Sequence, residues 1–277
     1  MPTGTIDGFI DRTTGAFTER LRQILAEVQA RIVGRLQRDL AIDEEGKIAS
    51  TPANIRALGR LDALFRAEMQ RLGYDRLVDA FVAQFPREIP FFQESLEAIG
   101  RELKTPLPRI RWTARDLQAF GAQQISTGTL LDDVIAKAGE AAKRQALFSV
   151  GGLDFTTLTL ELTEQFNRSI SECSGLAATS MSTFYRMVAD RGYGKIQEDL
   201  PEAVLQFRYE GPHDRVTRPF CERLLKSDRT YTREEIDRMD NGQIPNVFVT
   251  CGGFNCRHQW VLAGLKPVEE EESKHAA

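Results

Sequence analysis

Apolar residues recur every three or four positions in the first two thirds of the chain, which is the period of helices that bury one face. The clearest stretch runs from Phe17 to Leu40, with arginines on its other sides, and the acidic segment 43–45 ends it. We predict a long amphipathic helix here. Its buried stripe should consist of Phe17, Leu21, Ile24, Leu25, Val28, Ile32, Leu36 and Leu40.

A second helix has a clear start and a clear end. Thr51 is a good N-cap residue, and Pro52 suits the first helical position because the N–H that proline lacks would be unpaired there. One apolar stripe then continues from Ile55 to Leu72. Gly73 is placed to end the helix in a left-handed backbone conformation. We therefore predict one continuous helix between these two signals.

Further helices are expected up to about residue 195. Pro106 and Pro108 mark a break among them. The segment 155–170 begins with strand-forming threonines, but its second half favours helix, and we predict helix for all of it. Glycines 192 and 194 should end the last helix. The other predicted helices cover residues 75–84, 91–103, a segment that begins at Thr113, 129–148 and 176–191.

The character of the sequence changes near Pro201. Apolar and polar residues alternate over 205–209, which is the period of a half-buried strand. A second strand is predicted at Val247–Val249, and Thr232 with Glu235 has the spacing of a capping box for a short helix. This region should use its own apolar residues as a core, namely Leu205, Phe207, Tyr209, Phe248 and Trp260.

Together these patterns predict a mainly α fold in two parts. A helical body should occupy residues 1–200, and a small α+β C-terminal module should occupy residues 201–268. Four consecutive glutamates begin the remaining segment, 269–277, which we expect to be a disordered acidic tail.

Net charge and hydropathy exclude several classes of protein. The formal net charge is -4, so any contact with nucleic acid would need a local basic patch. No apolar run is long enough to cross a bilayer, and the first residues lack the basic-then-apolar order of a signal peptide. We therefore expect a soluble protein with no membrane partner.

Three of the four cysteines cluster near a histidine in the C-terminal region. Cys251 and Cys256 enclose a short loop with two glycines, which lets the chain fold back on itself. Cys256 and His258 are two positions apart, so in extended backbone their side chains point to the same side. Cys221 would be the remote ligand. The set Cys221, Cys251, Cys256 and His258 has the donor types of a closed structural zinc site.

Other interpretations of these residues stay open. Free cysteines are often simply small buried apolar residues, and oxidation could instead join Cys251 to Cys256. The long interval after Cys221 is not a standard zinc-finger spacing. His213 is a substitute ligand, although its place in a turn is more typical of an ordinary surface histidine.

Around these candidates lies a series of unusual residues in a fixed order. In chain order they are Tyr209, Gly211, Pro212, Asp214, Thr217, Arg218, Pro219 and Cys221, followed by Cys251, Asn255, Cys256, Arg257 and His258. This order resembles the C-terminal signature of the Mu F-like phage head morphogenesis proteins, and the resemblance covers about the last quarter of the chain. Many members have histidine first and cysteine last, where this chain has Cys251 and His258. A metal site tolerates such an exchange, because both side chains donate a lone pair to zinc, whereas a disulfide does not.

The sequence leaves alternative roles for two charged residues of the signature. Asp214 could accept hydrogen bonds from the backbone ahead of the next helix, or it could pair with Arg218. Arg257 could contact DNA phosphate or an acidic partner, or it could hold a carboxylate inside the module.

What the resemblance implies is a minor structural protein of a tailed bacteriophage head, and not an enzyme. Such a protein would associate with the portal protein and with other head or neck proteins during procapsid assembly and DNA packaging or ejection, and it could touch packaged DNA. It would reside in the head interior or neck of the virion, and in the host cytoplasm during assembly. We expect the arginine-lined helix over residues 17–40 to carry the portal-binding surface.

Two other functions compete with this one. A head-to-tail adaptor ring would match the copy number of the portal. A zinc-knuckle nuclease or a toxin-like transferase would be an enzyme, but a nuclease needs a histidine base outside the zinc set, and the chain offers only His213, His258 and His275. The sequence contains no Gly-rich phosphate loop, no Gly-x-Ser-x-Gly elbow and no His-Glu-x-x-His pair.

Overall fold

The computed structural model describes residues 6–267, so the predicted tail at 269–277 lies outside the described residues. The helices are α1 (Ile6–Asp39), α2 (Pro52–Leu58), α3 (Leu61–Arg71), α4 (Tyr74–Val82), a 3-10 turn (Phe85–Glu88), α5 (Ile89–Glu102), α6 (Ala114–Phe148), α7 (Phe155–Asp199), α8 (Pro219–Lys226), α9 (Arg233–Asp237) and α10 (Val247–Thr250). The strands are β1 (Ala203–Glu210) and β2 (Gln259–Pro267). The predicted mainly α fold with a small α+β C-terminal region is confirmed. None of the described helices is long and apolar enough to span a membrane.

The chain divides into two compact units. The first consists of Met1–Gln84 and Ala122–Ala178, and the second of Phe85–Gly121 and Thr179–Ala277. Strand structure begins near residue 200, where the pattern of the sequence changes. The boundaries of the compact units lie elsewhere, because α6 and α7 each supply residues to both units.

Helix α1 provides much of the core of the first unit. All eight residues of its predicted apolar stripe are buried, and the helix packs against α3 and α4. Phe17, for example, meets Phe81 with ring centroids 4.6 Å apart. Burying an apolar side chain of this size contributes about 1.5–3 kcal/mol. The first unit therefore depends on this face of α1.

The helix predicted after Thr51 is in fact two helices. Thr51 caps α2 as expected, accepting the Asn54 backbone N–H at 3.1 Å, and Gly73 has the predicted left-handed backbone with φ 87. A turn at residues 59–60 separates α2 from α3, however, and Ile55 is 46% exposed instead of buried. The apolar spacing could not indicate this turn, because the leucines on its two sides, at 58 and 61, are both buried.

The two longest helices, α6 and α7, are each continuous over their whole length. The breaks predicted near residue 129 in α6 and at 171–175 and 192–194 in α7 are wrong. The threonine-rich start of α7 is helical as predicted. Its threonine hydroxyls bond back to the preceding turn: Thr159 donates to the Phe155 carbonyl at 2.9 Å, and Thr163 donates to the Thr159 carbonyl at 2.8 Å.

Gly192 is a packing residue within α7, not a helix end. A Cβ atom at this position would lie 2.0 Å from the ring of Phe92 on α5. The phenyl ring therefore occupies the space that a side chain would need. Phe92 in turn makes an edge-on contact with Tyr193, with ring centroids 5.2 Å apart.

The C-terminal strands form one antiparallel pair, β1 with β2, in which Tyr209 lies opposite Trp260. The strand predicted at Val247–Val249 is wrong: these residues belong to the single-turn helix α10, whose N-cap is the left-handed Asn246. The capping box of Thr232 with Glu235 is present at the start of α9. The five apolar residues predicted to fill this region are all buried.

We predict that Gly192→Ala lowers the free energy of unfolding by about 1–3 kcal/mol, because the new methyl group overpacks against the Phe92 ring. Gly194→Ala is the matched control on the same helix, since a Cβ there has nothing within 4 Å. Alanine has the higher helix propensity, so this control should be neutral or more stable by up to about 1 kcal/mol. Urea denaturation measures both changes, and equal effects would contradict the assigned packing role.

Candidate metal centre

Three of the four predicted ligands come together in the second unit. One ligand atom each from Cys221, Cys256 and His258 lies within 4.8 Å of the other two. Cys221 stands in the first turn of α8, Cys256 follows the turn after α10, and His258 immediately precedes β2. All three side chains are buried. We call these three residues the metal cluster.

Two interatomic distances in the metal cluster fit a tetrahedral ion. The Cys221 and Cys256 sulfurs are 3.8 Å apart, and the Cys256 sulfur is 3.4 Å from His258 Nδ1. With ordinary bond lengths to zinc, two sulfurs would be separated by about 3.8 Å, and a sulfur and an imidazole nitrogen by about 3.6 Å. The cysteines are free thiols rather than a disulfide.

The orientation of His258 also suits a ligand. Its Nε2 lies 2.9 Å from the Pro212 carbonyl oxygen, which can only accept a hydrogen bond. Nε2 is therefore the hydrogen-bond donor, and Nδ1 is the ring nitrogen that faces the Cys256 sulfur and could bind a metal ion. A backbone carbonyl that holds the far nitrogen in this way is a common feature of metal-bound histidines. Gly211 makes the approach possible, since a Cβ there would lie 2.5 Å from the imidazole ring.

Residues 251–256, which we call the metal loop, fold back tightly between the two cysteines. Cys251, Gly253 and Asn255 all have positive φ values, of 50, 88 and 55. At Gly252 a Cβ would lie 2.2 Å from the Cys221 sulfur. The Gly252 N–H instead donates to the Cys256 sulfur at 3.2 Å. Glycine at 252 is therefore required for the two sulfurs to meet.

Side chains from outside the metal loop hold its backbone. Arg218 donates to the Gly252 carbonyl at 2.9 Å and also to the Phe254 carbonyl. Arg186 on α7 is buried and donates to the Cys256 carbonyl. Thr179, also on α7, exchanges hydrogen bonds with Asn255 at 2.8 and 3.0 Å. The two arginines satisfy carbonyl groups of the tight loop, and Thr179 satisfies its Asn255 N–H group.

Two charged residues of the signature pair with each other. Arg257 donates to both carboxylate oxygens of Asp214 at 2.8 Å. Asp214 also accepts from the Val216 backbone N–H and from the Thr217 hydroxyl, so the first of its two considered roles is observed, while Arg218 bonds to the Gly252 carbonyl. The hydrogen bonds from Arg257 outweigh partial desolvation and lower the pKa of Asp214. Of the roles considered for Arg257, holding a carboxylate within the module is the one observed.

Cys251, the fourth predicted ligand, is outside the metal cluster. Its thiol is fully buried and faces the Phe248 carbonyl at 3.7 Å. Burial raises the pKa of this thiol to about 12. His213, the substitute ligand, is half exposed and lies 3.8 Å from Glu222. The fourth cysteine, Cys173, belongs to the first unit.

The pKa values of the two clustered cysteines are shifted in opposite directions. The hydrogen bond from Cys221 lowers the pKa of Cys256 to about 3, against the opposing effect of burial and with help from His258. The same hydrogen bond, together with burial, raises the pKa of Cys221. This direction favours the thiolate form of Cys256, which is the form that binds metal ions.

Sequence reasoning overlooked one residue at the metal cluster. The Tyr209 hydroxyl lies 3.3 Å from the Cys221 sulfur and 3.6 Å from the Cys256 sulfur. The alternating pattern of the strand predicts Tyr209 only as a buried residue of the apolar core. Its presence in the signature next to cysteines and histidine was the signal for a polar role.

Comparisons of the chain with protein-family models, with curated proteins and with solved structures found no match.

We predict that Gly252→Ala weakens binding of cobalt or zinc at least about 10-fold, because the added methyl group displaces the Cys221 sulfur. Gly264→Ala on β2 is the control, since its nearest neighbour would be an ordinary contact at 3.6 Å. Metal affinity is measured by competition with a chromophoric chelator. Unchanged affinity in Gly252→Ala would contradict the proposed position of the ion between these residues.

Proposed function

We propose that this chain is a minor structural protein of a tailed bacteriophage head, similar to the Mu F-like head morphogenesis proteins, that it assembles with the portal, and that it is not an enzyme. The observation that supports the proposal is the organisation of the signature around one structural feature. Cys221, Cys256 and His258 form the metal cluster, while Arg218 and Asn255 hold the metal loop. A set of residues with these contacts is suited to shaping a protein module.

We further propose that the metal cluster binds structural zinc. Two thiolates and an imidazole are donors that zinc prefers, and their burial is typical of a closed structural site. Cys251 is the proposed fourth ligand, because it is the next buried thiol of the metal loop. To bind the ion, its sulfur would have to leave its contact with the Phe248 carbonyl at 3.7 Å.

Protein purified without chelator should contain about one zinc ion per chain by elemental analysis. Cys221→Ser and Cys256→Ser should each lose most of this zinc, because serine is a poor ligand for it. Cys173→Ser is the control and should keep it, since Cys173 lies in the other unit. Absence of zinc from the unaltered protein, together with no binding on addition, would refute the metal site.

The proposed partner surface is the exposed side of α1. Its arginines at 20, 22, 31, 35 and 38 are exposed, and several form ion pairs within the helix, such as Arg35 with Asp39. Surface pairs of this kind contribute little to stability, so their charges are available to an acidic partner surface. Deleting α1 would not test this proposal, because its other face is the core of the first unit.

The test is therefore charge reversal. The double variant Arg20→Glu and Arg38→Glu should lose incorporation into procapsids and binding to purified portal, while its free energy of unfolding changes by no more than about 0.5 kcal/mol. The matched control reverses two exposed arginines elsewhere in the first unit, Arg144→Glu and Arg168→Glu. If both double variants bind portal equally well, α1 is not the contact surface.

A further inference from the structure

Tyr209 brings a buried hydroxyl group to the two clustered cysteines. The residue is 3% exposed, and its hydroxyl oxygen lies 3.3 and 3.6 Å from the Cys221 and Cys256 sulfurs. Sulfur is a weak hydrogen-bond partner when it is a neutral thiol, but a thiolate is a strong acceptor. A buried phenol with sulfur partners is therefore poorly satisfied unless those sulfurs carry negative charge.

Metal binding would fix the direction of these hydrogen bonds. A cysteine that binds a metal ion does so as a thiolate, which can only accept a hydrogen bond. The phenol must then be the donor. We propose that Tyr209 is a positioning residue of the metal centre, whose hydroxyl donates to the ligand sulfurs and offsets part of their charge. This inference rests on the metal binding proposed above.

The two sulfurs depend on Tyr209 to different degrees. Cys256 also accepts the Gly252 backbone N–H at 3.2 Å. Among the described residues, no backbone N–H donates to the Cys221 sulfur, whose polar contacts are Tyr209 and Cys256. Loss of the Tyr209 hydroxyl would thus leave Cys221 as the sulfur without a donor.

The ring of Tyr209 is fixed independently of its hydroxyl. It stacks on the His258 imidazole, with centroids 5.3 Å apart and planes inclined by 12°, and it packs on Trp260 at 4.7 Å. Strand pairing places Tyr209 and Trp260 opposite each other. Phenylalanine can keep all of these ring contacts, so Tyr209→Phe removes the hydrogen-bond donor while leaving the packing in place.

The chain also contains a matched control. Tyr231 is buried to the same degree and packs on the same Trp260 ring, with centroids 5.5 Å apart. Its hydroxyl, however, donates to the Ser227 hydroxyl at 2.8 Å. Tyr231→Phe therefore removes a buried hydroxyl from the same part of the second unit without affecting a donor to the sulfurs.

The experiment titrates the full chain with cobalt(II) and then displaces it with zinc. We expect Tyr209→Phe to weaken binding by about 10–100-fold, the usual effect of losing a partner of a metal ligand. The thiolate-to-cobalt charge-transfer band should move to lower energy, because the sulfurs become more electron-rich. The ligand-field bands should keep their intensity, because the number of ligands is unchanged. Tyr231→Phe should match the wild type.

Three results would overturn the proposal. If Tyr209→Phe has the affinity and spectrum of Tyr231→Phe, the hydroxyl has no role at the metal. Tighter binding would mean that the hydroxyl obstructs the ion. A change in ligand-field intensity would identify Tyr209 as a direct ligand. A wild-type chain that binds no cobalt would instead refute the metal centre itself.

A measurement on the wild-type chain removes dependence on the folding of the variant. After loading with NMR-active cadmium, the Tyr209 hydroxyl proton should exchange slowly and show a scalar correlation with the metal through the hydrogen-bonded sulfur. Absence of this correlation, in a spectrum where cysteine β protons do correlate with the metal, would contradict the proposed donor role.

Discussion

The close approach of the Cys221 and Cys256 sulfurs is the constraint on which the C-terminal part of the second unit depends. The two side chains come from segments separated by α9 and α10, and they meet at 3.8 Å. Their meeting requires a glycine at 252 and left-handed backbone in the metal loop. Such a loop turns carbonyl groups away from regular pairing, and an unpaired buried carbonyl costs about 1–3 kcal/mol. Arg218 and Arg186 supply the missing hydrogen bonds by donating to carbonyl groups of this loop.

Arg186 also matters through its charge. Glu88 lies near it, but burial raises the pKa of Glu88 well above its usual range, which disfavours the carboxylate that would neutralise the arginine. The positive charge on Arg186 instead favours the thiolate forms of Cys251 and Cys256. A zinc ion bound by three thiolates and one imidazole would carry one net negative charge. A buried guanidinium beside such a site is the counter-charge it would need.

Sequence periodicity predicted the features that depend on local spacing. It identified the buried face of α1, the cap at Thr51, the capping box at Thr232 and strand β1. It failed where tertiary contacts decide: Gly192 resembles a helix end but makes room for Phe92. The candidate ligands could be recognised from the sequence because cysteine and histidine are chemically distinctive. Three of the four lie together in the structure. The supporting residues on α7 could not be predicted, since nothing local links them to the metal loop.

The proposed division of roles within the chain rests on which side chains already make hydrogen bonds or ion pairs within the module. Arg218 and Arg186 donate hydrogen bonds to the metal loop, and Arg257 is paired with Asp214. Residues engaged in this way can shape the module, but they offer few free groups for binding a partner. Partner choice needs exposed charges that vary without disturbing the fold. The outer face of α1, whose arginines stand opposite a buried stripe, provides such charges.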